Sequence, residues 1–280
     1  MKEKVSAVII TFNEATNLVR TLNQLDWCDE IIIVDSYSND NTVAICLEYG
    51  CKIFYKPFDG YGEQKQYAIG KAANDWILCL DADEYLTPKL VKELQEELKD
   101  TGNYRGYRIP MNLVFRGQEF KYGKESSRYF VRLFNRKYTV VGGEKVHEKF
   151  EVFGRVKKLK HIILHYSYRD IRQYISKLNS YSTLGAEINA GRRRPMSQLL
   201  IFFAIPFYFF KYYFKERNFL NGKNGFYWSV LCSFYHFTKY IKIQDIERGD
   251  TEYNDGSTNI VKGGVEGKKS VFLVSMVSDE

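Results

Sequence analysis

Apolar runs and helical repeats alternate through the first hundred residues. Val5 to Ile10 is apolar apart from Ser6, and a continuous run of this length predicts a strand covered on both faces. Thr11-Phe12-Asn13-Glu14 ends it, and Leu18, Leu22 and Leu25 then recur at helical spacing. Glu30 to Asp35 predicts a second strand, finishing on an acid. Ser36 to Thr42 is turn and capping chemistry and predicts a helix through Tyr49. Cys51 to Tyr55 predicts a short third strand, Gly62 to Ala73 a helix, and Trp76 to Leu80 a fourth strand. A helix begins near Thr87-Pro88 and carries Leu90, Val91, Leu94 and Leu98 on one face. The order βαβαβαβα predicts an α/β fold, a doubly wound and mostly parallel sheet that binds its ligand at the carboxyl ends of its strands.

From Tyr104 to Phe153 the pattern changes. Tyr107 to Pro110, Asn112 to Phe115 and Arg128 to Phe134 are short apolar and aromatic runs between glycines and charges, as expected of strands and loops added to the sheet edge. Among them lies Gly142-Gly143-Glu144-Lys145-Val146-His147-Glu148-Lys149. Paired glycines beside two acids and a histidine suggest a flexible, polar site loop. A hairpin with exposed charges is the purely structural alternative. From Tyr168 the chain turns helical, with Ile171, Tyr174, Ile175 and Leu178 on one face. Arg192-Arg193-Arg194-Pro195 then leads into Leu199 to Phe210, apolar apart from one proline and one tyrosine. A membrane span needs ~20 apolar residues, and Lys211 and Lys215 interrupt this run. An interfacial helix with aromatic and basic flanks is expected, and a helix buried against the first domain competes with it. Phe226 to Ile243 reads as a further aromatic helix ending near Lys239 and Lys242, and Lys269 to Val277 has strand character in a polar, Gly-rich tail expected to be poorly ordered.

Composition adds two constraints. A chain of 280 residues with 45% apolar content suits one large domain, or one domain and an appendage. The net charge of +7 is uneven: Arg192 to Arg248 holds ten Lys/Arg and three Asp/Glu, whereas the tail after Arg248 holds three basic and six acidic residues. A basic, aromatic segment beside a nearly balanced domain points to an anionic partner, either nucleic acid or lipid headgroups. Met1-Lys2-Glu3-Lys4 leads directly into the first strand, so no secretory signal peptide is expected. The five cysteines form no C-x-x-C and read as reduced core residues of a cytosolic protein, and the four histidines lack a metal-ligand spacing.

The candidate chemistry is acidic. The fourth strand stops on Asp81 and Asp83, with Glu84 beside them. Unpaired carboxylates are costly in a buried strand, but at a strand's carboxyl end a D-x-D can set two hard oxygen ligands near one divalent cation, with diphosphate oxygens and water completing the shell. The structural alternative is capping of the helix at Thr87-Pro88. Glu14, Asp35 and the D-x-D would converge on one rim, which is harder to explain structurally than any single acid; Asp40 reads as a helix cap. No G-x-G-x-x-G follows the first strand and no G-x-x-x-x-G-K-[ST] occurs. A nucleotide held by carboxylates and a metal fits better than either phosphate cradle.

Three motifs in order, Val8-Ile9-Ile10-Thr11-Phe12-Asn13-Glu14, Ile33-Val34-Asp35-Ser36 through Thr42, and Leu80-Asp81-Ala82-Asp83-Glu84, resemble those of family 2 glycosyltransferases with a GT-A fold. Val146-His147-Glu148 and Tyr166-Ser167-Tyr168 are more loosely similar to the branch containing bacterial lipopolysaccharide core β-1,4-glucosyltransferases. The resemblance implies that Thr11, Asn13 and Glu14 line a nucleotide pocket, that Asp35 faces a uracil, and that Lys65 lies near the nucleotide. It implies Asp81 near the ribose and Asp83 on Mg²⁺ or Mn²⁺, with Asp81 beside it. Where the family often has an Asp-Asp pair, this chain has Asp35-Ser36; the common Glu-Asp base motif is absent, and His147-Glu148 occupies the comparable region.

The expectation is therefore an inverting hexosyltransferase. It would move a sugar, glucose or another hexose, from a UDP-linked or similar donor to a lipid-linked saccharide such as lipopolysaccharide core. Glu148 would act as general base, with Glu144 second and His147 as orienter. Arg192, Arg193 and Arg194 would meet the acceptor or the membrane. Residues 1–160 would form the GT-A domain, with a nucleotide-sugar half over 1–100 and an acceptor half over 101–160. Residues 161–248 would form the helical appendage and 249–280 the tail. The expected location is the cytoplasmic face of the bacterial plasma membrane, peripherally bound, without nucleic acid. The alternatives are a sugar-1-phosphate nucleotidyltransferase, which would usually carry a Gly-rich basic loop after the first strand, and a non-catalytic module binding a nucleotide sugar or nucleic acid.

Overall fold

The computed structural model describes residues 3–142, 149–190 and 198–249. The chain divides into two compact units, Met1–Ser167 and Tyr168–Glu280. In the first unit, strands β1 (Val5–Thr11), β2 (Glu30–Asp35), β3 (Lys52–Tyr55) and β4 (Trp76–Asp81) alternate with helices α1 (Ala15–Leu22), α2 (Thr42–Glu48) and α3 (Tyr61–Lys71). A short β5 (Glu84–Leu86) precedes α4 (Pro88–Glu97). Then come β6 (Tyr104–Phe115), β7 (Gln118–Glu119), β8 (Arg128–Asn135), β9 (Thr139–Gly142), β10 (Lys149–Val152), β11 (Arg155–Lys158) and β12 (Ile163–His165).

The main sheet runs β3-β2-β1-β4-β8-β6-β12-β5, with β7 and β11 also paired to β6, and β9 and β10 form a separate ribbon. The first four strands are all parallel. β8 is antiparallel to both β4 and β6, and β12 is parallel to β6 and antiparallel to β5. The expected α/β class is thus met by a mixed sheet whose later strands extend it beyond β4. The apolar runs are explained by cover on two sides. Ala7, Ile9, Leu78 and Leu80 pack with Leu18, Leu22, Leu90 and Leu94 of α1 and α4. The alternate residues Val8, Ile32, Ile77 and Cys79 pack with Ala68 of α3 and Phe134 of β8. Alternation along each strand sends neighbouring side chains to opposite faces, so a strand covered twice must be apolar throughout.

Hydrogen bonds at the amino ends of the strands fix their order. Glu30 accepts from the Ser6 hydroxyl at 2.5 Å, the Ala73 N–H at 2.6 Å and the Lys52 ammonium at 2.7 Å. One carboxylate thereby ties β1, β2, β3 and the exit of α3 together. Burial alone would raise its carboxyl, but Lys52 and the two hydrogen-bond donors outweigh that and hold it below the ordinary carboxylate range.

The described residues of the second unit form α5 (Ile171–Asn189), α6 (Gln198–Phe210), a π-helical turn Lys211–Lys215, a 3₁₀ turn Asn218–Asn221 and α7 (Gly222–Arg248). α5 starts three residues later than the pattern implied because Asp170 caps it, accepting from the Gln173 N–H at 2.8 Å. α7 continues past Ile243 to Arg248 and stops at Gly249, which adopts φ +74. Gly225 permits the close approach of the turn to α7: a Cβ there would lie 1.8 Å from the Asn218 carbonyl oxygen. Among the described residues, no helix is long and apolar enough to cross a membrane. Lys269 to Val277 and the rest of the tail lie outside the described residues.

Candidate active site

Parallel register brings the motif-bearing strand ends side by side. Thr11 is paired with Asp35, and Ile10 with Asp81. The loops that follow β1 and β2 are stitched together. The Ser36 N–H donates to the Thr11 carbonyl, the Asn13 N–H to Ser38 Oγ, the Asn39 N–H to Asn13 Oδ1, and the Glu14 N–H to Thr42 Oγ1, all between 2.8 and 2.9 Å. Asn13 sits at φ 54, a left-handed conformation that asparagine tolerates better than most side chains. Asp35 is fully buried and closes its own turn, accepting from the Ser38 N–H at 2.7 Å and the Ser38 hydroxyl at 2.5 Å. Asp40 accepts from the Thr42 N–H at 2.9 Å at the start of α2. Among the described residues, the buried Thr11 hydroxyl has no hydrogen-bond partner, a cost a bound ligand would remove.

The two acids of the D-x-D have different surroundings. Asp81 closes β4 and is held between two cations: Lys65 of α3 at 2.7 Å on Oδ1 and Arg132 of β8 at 3.1 Å on Oδ2. Burial would raise its carboxyl, but Lys65 and Arg132 together hold it well below the usual carboxylate range. Glu84 is fully buried, accepts from Arg132 at 2.5 Å, and takes the Asp81 N–H at 3.2 Å. Burial, seconded by the Asp81 charge, pushes the Glu84 carboxyl up against the pull of Arg132. Asp83 lies in the turn between β4 and β5, a turn braced by the Thr21 hydroxyl, which donates to the Ala82 carbonyl at 2.8 Å. Asp83 Oδ1 lies 3.3 Å from His165 Nε2 at the end of β12, and the Asp83 carbonyl accepts from the Tyr166 N–H at 2.9 Å. Burial would lower the His165 imidazole, but the Asp83 carboxylate, aided by Glu84 and Asp81, raises it above its usual value. The Ser167 hydroxyl is 3.0 Å from Nδ1.

Sequence reasoning missed Arg132 and His165. Each carries a visible signal, a polar residue at the end of or inside an otherwise apolar run (Val131-Arg132-Leu133, Ile163-Leu164-His165). Neither reveals its partner, because β8 and β12 reach the D-x-D through the sheet order alone. Among the described residues no three His, Cys, Asp or Glu side chains converge as a metal cage. Asp83 and His165 offer one carboxylate and one imidazole, a pair that fits a divalent cation whose remaining ligands come from a diphosphate and water. Glu144, His147 and Glu148, and Arg192, Arg193 and Arg194, lie outside the described residues.

Residues 6–147 match the model of Glycosyl transferase family 2. An uncharacterized glycosyltransferase of Rickettsia conorii is 31% identical over 261 residues, covering 88% of this chain and 91% of its own length. The chain belongs to glycosyltransferase family 2. A further relative, the lipopolysaccharide core biosynthesis glycosyltransferase LpsC of Rhizobium meliloti, is 31% identical over 253 residues, 86% of this chain and 92% of its own. Among solved structures, residues 1–349 of S. aureus TarS in complex with UDP-GlcNAc superpose with a TM-score of 0.43 at 15% identity, covering 90% of this chain and 93% of that one. Family membership sets aside the nucleotidyltransferase alternative and gives the chain a reaction class, glycosyl transfer.

Proposed function

We propose that this family 2 enzyme transfers a hexose, glucose or a close relative, from a UDP-sugar to a hydroxyl of a lipid-linked saccharide such as lipopolysaccharide core, with inversion at the anomeric carbon. The observation that carries the donor half is the division of labour in the D-x-D: Asp81 is neutralised by Lys65 and Arg132, whereas Asp83 stands beside the His165 imidazole in the turn that follows. Asp83 and His165 would hold Mg²⁺ or Mn²⁺ on the diphosphate, with Asp81 toward the ribose. When bound, the cation would neutralise charge developing on the leaving nucleoside diphosphate. Thr11, Asn13 and Glu14 would line the nucleotide pocket, and Asp35 would orient the loop beneath the base.

Glu148 would deprotonate the acceptor hydroxyl, with Glu144 as second candidate and His147 orienting one of them. The acceptor reading is supported by the similarity to LpsC and by the basic segment from Arg192, whose three arginines would meet acceptor phosphates or headgroups. The enzyme would then work peripherally at the cytoplasmic face of the plasma membrane.

A thermal-shift panel of nucleotide sugars, with and without Mn²⁺, tests the donor half. A metal-dependent rise with one UDP-sugar, lost in Asp83→Ala, supports it. A flat response across all donors contradicts it.

A further inference from the structure

The helical unit exposes large apolar side chains and buries several polar ones within its aromatic core. A helix facing water normally shows the reverse pattern, with its apolar stripe turned inward. On α7 the buried positions include Ser229, Ser233, His236 and Lys242, while Phe226, Val230, Phe234 and Ile241 are exposed. The inward polar groups bond to one another and to the backbone. Lys242 Nζ reaches four oxygens of Asn179, Ser182 and Thr183 between 2.7 and 2.9 Å, and His236 Nε2 lies 2.8 Å from the Tyr212 hydroxyl. α6 is apolar nearly all round. Phe202 is 75% exposed, Phe207 64% and Phe210 60%, and at about 100° per residue the exposed positions 199 to 210 sweep more than half of its circumference.

The occupant of that surface follows from its shape and from its rim. A second copy would cover one side of α6, whereas a fluid apolar phase covers an arc. The rim is cationic: the segment 211–223 carries Lys211, Lys215, Arg217 and Lys223 against a single acid, Glu216. Two such rims would repel each other in a symmetric pair. The aromatic surface runs on into this rim, with Phe210 in ring contact with Phe214 at 5.4 Å and Phe214 with Phe219 at 6.3 Å. Charges at the turn oppose end-on insertion, because lysine and arginine are costly in hydrocarbon. α6, at 13 residues, is also shorter than the ~20 a span requires.

We propose that the α6–α7 hairpin lies flat in the headgroup–acyl boundary of an anionic bilayer leaflet, with Phe202, Phe207 and Phe210 in the acyl layer and Lys215, Arg217 and Lys223 on lipid phosphates. The inference rests on the peripheral-membrane part of the function proposed above and not on its transfer chemistry. Lipid would replace water around the aromatic rings, and the internal hydrogen bonds keep the polar side chains away from it.

Flotation of the full chain with phosphatidylcholine vesicles, with and without phosphatidylglycerol, tests this. The wild type is expected to float with the anionic vesicles. Phe202→Ser/Phe207→Ser/Phe210→Ser should lose about ten-fold or more of the binding while keeping its helical circular dichroism. Lys215→Glu/Arg217→Glu/Lys223→Glu should lose the preference for anionic lipid. Independently of these variants, a carbene-generating probe confined to the bilayer should label wild type within residues 199–220. A chain that stabilises with UDP and Mn²⁺ yet stays unbound to both vesicle types overturns the inference, as does an absence of label in that segment. A lipid-free dimer that the phenylalanine variant dissociates also overturns it, in favour of a second copy. A chain that floats but ignores UDP and Mn²⁺ supports it while removing the transfer reading.

Discussion

Lys65 Nζ lies 2.7 Å from Asp81 Oδ1, and its side chain is 1% exposed against 27% for Asp81. A buried ammonium with a partly exposed carboxylate makes Asp81 a neutralised support for the rim. The next acid, Asp83, faces His165 instead. In the proposed function the cation would therefore lie at the turn after β4 rather than at the strand end.

Lys65→Met leaves Asp81 with Arg132 as its remaining cation. Because Asp81 keeps contact with solvent, the cost is expected below the fully buried case, roughly 2–3 kcal/mol, read as a lower urea midpoint with unchanged slope. The affinity for UDP should fall in parallel.

Arg132 serves Asp81 and the fully buried Glu84 together. Arg132→Met strands Glu84 in the core and should cost about 3–5 kcal/mol. Arg132→Met/Glu84→Leu should recover much of that loss, because no uncompensated buried charge remains there. A double-mutant cycle in urea measures the coupling, and purely additive losses would show that the two side chains act independently.

Acid should weaken the amino-terminal clasp. Glu30 has a folded-state value below its ordinary 4.5, so it binds protons more readily when unfolded. Its contribution is complete above that ordinary value and disappears as the pH falls through the depressed folded value. Glu30→Gln should therefore cost roughly 1–2 kcal/mol at neutral pH, and the gap to wild type should narrow on acidification. Urea midpoints across a pH series give the comparison, and a gap that widens toward acid would contradict the assignment.

Gly225 allows the 3₁₀ turn to press on α7. With a Cβ placed 1.8 Å from a backbone oxygen, no side chain can rotate to relieve the clash. Gly225→Ala is expected to cost at least about 3 kcal/mol, seen in a lower melting temperature and lost helical signal.

The parallel half of the sheet was legible in the sequence because each of its strands is covered on both faces and followed by turn chemistry. The acids at its rim were equally visible, since Asp35 and Asp81 interrupt apolar runs. β5 was not: Glu84-Tyr85-Leu86 carries no period of its own and reads as the continuation of the acidic turn. It becomes a strand by pairing with β12 at the far side of the sheet. The same long-range pairing carries His165 to Asp83. Histidine spacing along the chain held no trace of this contact between β12 and the turn after β4. The helices at 171–189, 198–210 and 222–248 were readable, the first from apolar periodicity and the others from apolar and aromatic runs, but the buried polar side chains of α7 were not, because nothing in the run marks which of its polar residues turn inward.

The most direct test of the central claim is calorimetric titration of UDP with and without Mn²⁺ on wild type, Asp83→Ala, His165→Ala and the double variant. If Asp83 and His165 hold the cation as a pair, each single change should remove most of the Mn²⁺-dependent gain in UDP affinity, about 10–100-fold, and the double change should add little. An Asp83→Ala enzyme that keeps the full Mn²⁺-dependent gain would contradict the account.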